Sequence, residues 1–192
     1  MTEFPEMRRQ EINEGNLSRD ALTAVNCVRS SLFMSYGLRR DSKLIFYQAH
    51  SGKLILIEGD KLRYMGPNER SISILLSMSA RKLLSGDLER NLESSPGITI
   101  IKNDIVPSII RQENSLLLYQ SREGLDLRTV KFTDRTVLVC KLNPEMIIED
   151  VIGLFGKHTH NMIGVKLDDE AEKAILLTNN EIDRRNVQLT GL

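Results

Sequence analysis

Leu38-Arg39-Arg40-Asp41 lies between a helical pattern and a β-rich one, and it joins the residue types needed to handle a nucleic-acid base. Two guanidiniums beside a carboxylate can hold phosphates or stabilise a developing base anion, while the carboxylate takes or orients a proton. On spacing alone, a surface ion pair closing a turn is the commoner arrangement. Pro67-Asn68-Glu69-Arg70-Ser71 is a second polar cluster, placed where a capping segment would explain it. Ser95-Pro96-Gly97-Ile98 reads as a turn before a strand. His158 and His160 stand two apart with no cysteine nearby, which suits a surface turn rather than a zinc set, so no metal is expected. Cys140 lies in an apolar strand pattern without a base beside it, as a small core residue or as part of a cofactor lining. The phosphate loop GxxxxGK[ST], the dinucleotide fingerprint GxGxxG and the nucleophile elbow GxSxG are all missing from the sequence.

The elements that must position these residues follow from periodicity. Residues 1–16 show no period and are expected to form a loose arm; residues 17–192 are expected to form a single α/β domain. Ser18 is a predicted N-cap, Leu22, Val25, Leu32, Phe33 and Tyr36 give a helical face, and Gly37 a predicted C-cap. Strands are predicted over Lys43–Ala49 and Lys53–Glu58, joined as a hairpin at Ser51-Gly52, with a short continuation over Leu62–Met65. A helix follows over Glu69–Ser85, ended by Gly86, then a strand over Ile98–Lys102 and a helix over Asp104–Glu113. The remainder alternates: strand Ser115–Tyr119, strand Thr136–Leu142, helix Pro144–Phe155, strand Met162–Lys166 and helix Asp168–Arg185. The last helix has an acidic start and an Arg184-Arg185 end, both suited to its dipole. Short apolar strands alternating with helices imply an α/β fold with a mostly parallel sheet and helices on both faces. Ligands then belong at the carboxyl ends of the strands, in loops 120–124, 140–144 and 164–168.

Composition narrows the class. The chain has 192 residues, 41% hydrophobic and 27% charged, within the globular range. Lys plus Arg and Asp plus Glu are 26 each, so any nucleic-acid site must be local. Residues 44–143 lean basic, with 14 Lys/Arg against 11 Asp/Glu, and residues 144–192 lean acidic, with 5 against 9. Cys27 and Cys140 lie in apolar stretches, as expected of reduced thiols. No apolar run reaches membrane-spanning length, and residues 1–15 lack the apolar core of a signal peptide. A cytoplasmic protein is expected.

Taken in order, these segments resemble the archaeal tRNA pseudouridine N1-methyltransferase family of the trefoil-knot (SPOUT) superfamily. The resemblance begins with Cys27-Val28 and Leu32-Phe33 and runs through Leu38-Arg39-Arg40-Asp41, Phe46-Tyr47, the segment from Gly66 to Ile72, and Ser95-Pro96-Gly97-Ile98. It continues through Leu117 to Leu127, similar to the family's first cofactor loop, and Asn180-Glu181-Ile182-Asp183, similar to its closing helix. What the resemblance implies is a C-terminal trefoil knot, a homodimer, and transfer of methyl from S-adenosylmethionine to N1 of a pseudouridine in tRNA. Asp41, Arg39 and Arg40 would be catalytic, and Arg39, Arg40, Asn68 and Arg70 would touch RNA. Tyr119, Gln120, Cys140, Lys141, Leu142, Val165 and Leu167 would line the cofactor.

Two loops depart from the family pattern. A Gly-Asp-His-type segment is replaced by Val139-Cys140-Lys141-Leu142-Asn143, and a Ser-Leu-(Ser/Gly)-Pro segment by Gly164-Val165-Lys166-Leu167-Asp168. They leave open a non-catalytic knotted dimer that binds RNA or protein, and an α/β domain that keeps the shape for another small molecule.

Overall fold

Lys53–Glu58 (β4) reads Lys-Leu-Ile-Leu-Ile-Glu, a run with apolar residues on both faces, as an inner strand requires. In the computed structural model, which describes residues 4–35, 37–48, 51–84, 91–101, 115–142 and 161–190, β4 is such a strand and Leu54 to Ile57 are buried. The chain divides into two compact units, Met1–Asn103 and Asp104–Leu192.

In the first unit, helix α1 spans Arg9–Glu14 and α2 spans Arg19–Leu32; Phe33–Met34 (β1) and Gly37–Leu38 (β2) form a small antiparallel ribbon. Strands β3 (Lys43–Gln48), β4, β5 (Leu92–Ser95) and β6 (Ile98–Ile101) make one antiparallel sheet in the order β3-β4-β6-β5. Helix α3, Glu69–Leu84, connects β4 to β5. The β3–β4 hairpin falls where expected, with Phe46 opposite Ile55. The mostly parallel expectation fails in this unit. The turns at Ser51-Gly52 and Pro96-Gly97 are far shorter than the dozen or more residues a parallel crossover needs.

Three local expectations are also corrected. Helix α2 starts at the Ser18 cap, whose hydroxyl accepts the Ala21 N–H at 3.3 Å, but it ends at Leu32. Phe33 is already extended (φ −112°, ψ 136°), and Gly37 opens β2 instead of capping the helix. The buried stripe is Ala21, Ala24, Val25, Val28 and Leu32, at helical spacing, while Leu22 is exposed. Leu62–Met65 forms no strand: the Leu62 N–H bonds back to the Glu58 carbonyl at 2.9 Å in a turn. Residues 4–14, expected as a loose arm, carry α1 and bury Phe4, Met7 and Ile12. Phe4 packs edge-on against Phe46 with ring centroids 5.3 Å apart.

The second unit holds the parallel sheet. Strand β7 (Leu116–Leu125) lies between β8 (Thr136–Val139) and β9 (Met162–Val165), both parallel to it. Its core is Leu116, Leu118, Leu127, Val130 and Val165, with Phe132, Leu138, Ile163 and Leu167 packed around it. Helix α4 spans Ala171–Thr190 and buries Ala171, Ala174, Thr178 and Glu181. It extends past Arg185, so the two arginines are not at its end. They serve the Glu181 carboxylate instead, with Arg184 Nη2 at 2.7 Å and Arg185 Nε at 2.8 Å. The helices expected over 104–113 and 144–155, and His158 and His160, lie outside the described residues.

Candidate functional site

The site residues of the first unit sit on the loop from β2 to β3. The Arg39 N–H donates to the Leu32 carbonyl at 2.7 Å, folding the chain back onto the end of α2. From the other side, the Gly59 N–H donates to the Ser42 carbonyl at 3.0 Å. A Cβ at Gly59 would stand 1.9 Å from the Arg39 carbonyl oxygen, so only glycine permits this approach. The loop thus presents Asp41 and Arg40 to solvent, with Arg39 half-buried. The Ser42 hydroxyl donates to Asp41 Oδ1 at 3.4 Å. Arg40 Nη1 and Arg63 Nη1 both donate to the Asp60 carbonyl, at 3.5 and 3.3 Å.

Next to Arg63, Tyr64 has a positive φ of 62° and is 87% exposed. Neither Arg63 nor Tyr64 stands out in the sequence, where both fall within the strand pattern over Leu62–Met65. Behind the loop, Lys43 and Lys61 donate to opposite oxygens of Glu58 at 2.7 and 2.8 Å. Desolvation works to raise the pKa of Glu58, but the two ammonium groups outweigh it and hold the carboxyl below its ordinary value.

Asn68 and Arg70 flank the start of α3. Asn68 Oδ1 accepts the Ser71 N–H at 2.8 Å, and the Ser71 hydroxyl accepts the Gly66 N–H at 2.8 Å. Asn68 therefore has a capping function. Arg29 of α2 steadies the same loop by donating to the Pro67 carbonyl at 3.1 Å. Arg70 instead reaches Asn13 Oδ1 at 3.2 Å.

In the second unit, Tyr119 and Gln120 lie midway along β7, level with Val139 and Val165, the last residues of β8 and β9. Cys140, Lys141, Leu142 and Leu167 follow just beyond those two carboxyl ends. Gln120 joins these ends. Its buried amide donates to the Asp168 carbonyl at 2.6 Å and accepts the Lys141 N–H at 3.2 Å. One side chain on β7 thereby ties the loop after β8 to the loop after β9. Residues 121–125, expected as a loop, continue β7 through an irregularity, and Lys166 N–H donates to the Leu125 carbonyl at 2.9 Å. This return is close: a Cβ at Gly124 would stand 2.6 Å from the Gly164 carbonyl carbon, and one at Gly164 would stand 3.1 Å from the Tyr119 ring. Strand β8 ends at Val139, which puts Cys140 in the loop rather than in the strand. Burial pushes the Cys140 thiol up to about 12, so at neutral pH it is protonated.

The family model described as "Putative SAM-dependent RNA methyltransferase" matches residues 19–187, taking in the Arg39–Asp41 loop and all three strand ends. The chain belongs to this family. Among curated relatives, the tRNA (pseudouridine(54)-N(1))-methyltransferase of Methanosarcina acetivorans is 29% identical over 84% of this chain and 77% of its own length. The enzyme of the same name from Methanosarcina mazei is 31% identical over 78% of this chain and 62% of its own. That from Methanococcoides burtonii is 30% identical over 82% of this chain and 80% of its own. The family match leaves out residues 1–18 and so excludes α1. Among the described residues, no three His, Cys, Asp or Glu side chains are grouped to hold a metal, and no helix is long and apolar enough to cross a membrane.

Proposed function

We propose that this chain is an S-adenosylmethionine-dependent methyltransferase acting on N1 of a pseudouridine in tRNA. The observation that carries the reading is a family match running through both the Arg-Arg-Asp loop and the ends of β8 and β9 joined by Gln120. The residues at those ends fit the cofactor: Leu142, Val165 and Leu167 are apolar, Cys140 is a neutral thiol, and backbone groups at strand ends suit an adenine edge. Tyr119, Gln120, Cys140, Lys141, Leu142, Val165 and Leu167 would hold it. When bound, the cofactor supplies an electrophilic methyl group on a sulfonium.

The chain's own work is on the base. The N1 proton must leave as the base is methylated, and Asp41 would accept or orient it. Negative charge grows on the base as the proton leaves, and Arg39 or Arg40 stabilises it. Arg40, Asn68 and Arg70 grip RNA phosphates, and exposed Tyr64 offers a face on which an unstacked base can lie. The same reading brings a C-terminal trefoil knot, helices on both faces of the parallel sheet, one SPOUT-like domain over residues 17–192, and a cytoplasmic setting. It also brings a homodimer, which Leu176 and Leu177, 47% and 48% exposed on α4, support.

The test is Asp41→Asn. Methyl transfer should fall by about 10²- to 10⁴-fold, with S-adenosylmethionine affinity unchanged by calorimetry. Full activity in the variant removes Asp41 from the chemistry. The departures at residues 139–143 and 164–168 favour a second reading, a knotted dimer that binds RNA without catalysis. Salt-sensitive RNA binding with no cofactor affinity would establish it.

A further inference from the structure

Helix α1 and the outer face of α3 enclose a cleft of about 230 Å³. Arg9, Arg70 and Arg81 line it, its apolar wall is Ile12, Ile74 and Met78, and no Asp or Glu is among its lining residues. Among the described residues, none of the three arginines forms an ion pair. Two are held in place by neutral partners: Arg70 Nη2 donates to Asn13 Oδ1 at 3.2 Å, and Arg81 Nη2 to the Ser77 hydroxyl at 3.2 Å. Ser77 in turn donates to the Met7 carbonyl at 2.8 Å, fastening α3 to the N-terminal segment. A guanidinium carries five N–H donors, so most of this donor set still faces outward.

Three arginines without an ion-pair partner around one concavity favour an anionic ligand. We propose that this cleft between α1 and α3 is a binding site for RNA phosphates. It rests on the reading of the chain as an RNA methyltransferase. Phosphate oxygens would take the arginine donors, in the geometry guanidinium favours. Ile74 and Met78, each 42% exposed, would take the apolar edge of a ribose. Arg9 lies outside the family match, whereas Arg70 and Arg81 lie within it.

The experiment compares the wild type with Arg9→Gln/Arg81→Gln for binding of a folded tRNA, by fluorescence anisotropy across a salt series. Thermal unfolding serves as the control for folding. The proposal expects the variant to bind about tenfold more weakly at moderate salt, with the slope of log affinity against log salt reduced by about 2. S-adenosylmethionine affinity should not change. Inorganic phosphate and an acidic peptide serve as competitors. The proposal expects phosphate to compete only at high concentration and the peptide not to compete. Equal affinity and slope in the two proteins, or displacement of the RNA by the peptide at low concentration, overturns the site. If the wild type neither binds tRNA nor methylates it, the enzyme reading fails too; if it does both and the variant matches it, only this site fails.

Discussion

Replacing the Gly59 hydrogen by a methyl group tests how the Arg39–Ser42 loop is held. The added carbon would fall 1.9 Å from a backbone oxygen that is itself anchored through the Arg39 N–H to Leu32. Gly59→Ala should therefore cost about 1–3 kcal/mol in urea unfolding and shift the loop that carries Asp41. A variant of wild-type stability would show that the loop yields freely. Glu181 gives a second residue-scale prediction. Hydrogen bonds from Arg184 and then Arg185 outweigh desolvation and hold its carboxyl at about 2, against an ordinary 4.5. A depressed folded-state pKa contributes stability above the unfolded value, and that stability is lost as pH falls through the folded one. The wild type should lose stability between pH 4.5 and 2 more steeply than Glu181→Gln, followed by circular dichroism. Parallel curves would remove Glu181 from the acid transition.

At the scale of elements, the loops after β8 and β9 are held by two side-chain bonds from one residue on β7. Gln120→Leu keeps the bulk but strands the Asp168 carbonyl and the Lys141 N–H. The KM for S-adenosylmethionine should rise about tenfold, with kcat at saturation changed by less than a few-fold. A fall in kcat with unchanged KM would contradict the positioning role. These bonds were not legible in the sequence, since they join residues 48 and 21 positions apart. Strand β4 was legible, because Leu54 to Ile57 form an unbroken apolar run ended by a turn. The end of α2 was not: Phe33 keeps helical spacing while its backbone turns extended. The buried N-terminal segment was hidden for a similar reason, as Phe4, Met7 and Ile12 follow no single period and find their partners on β3 and α3.

For the whole molecule, the family match and the Arg-Arg-Asp loop were readable from ordered motifs, whereas the arginine cleft required a fold. Motifs survive in short windows of sequence. A cleft between α1 and α3 is assembled from residues some 60 to 70 positions apart. For chemistry at N1, the glycosidic linkage offers a discriminating control. In uridine N1 is bonded to the ribose and has no proton to lose; in pseudouridine it is free. The decisive measurement is transfer of labelled methyl from S-adenosylmethionine to two otherwise identical tRNA transcripts, one carrying pseudouridine in its T-loop and one carrying uridine. Label is expected in the pseudouridine transcript alone. No label in either, or equal label in both, would contradict methyl transfer to N1.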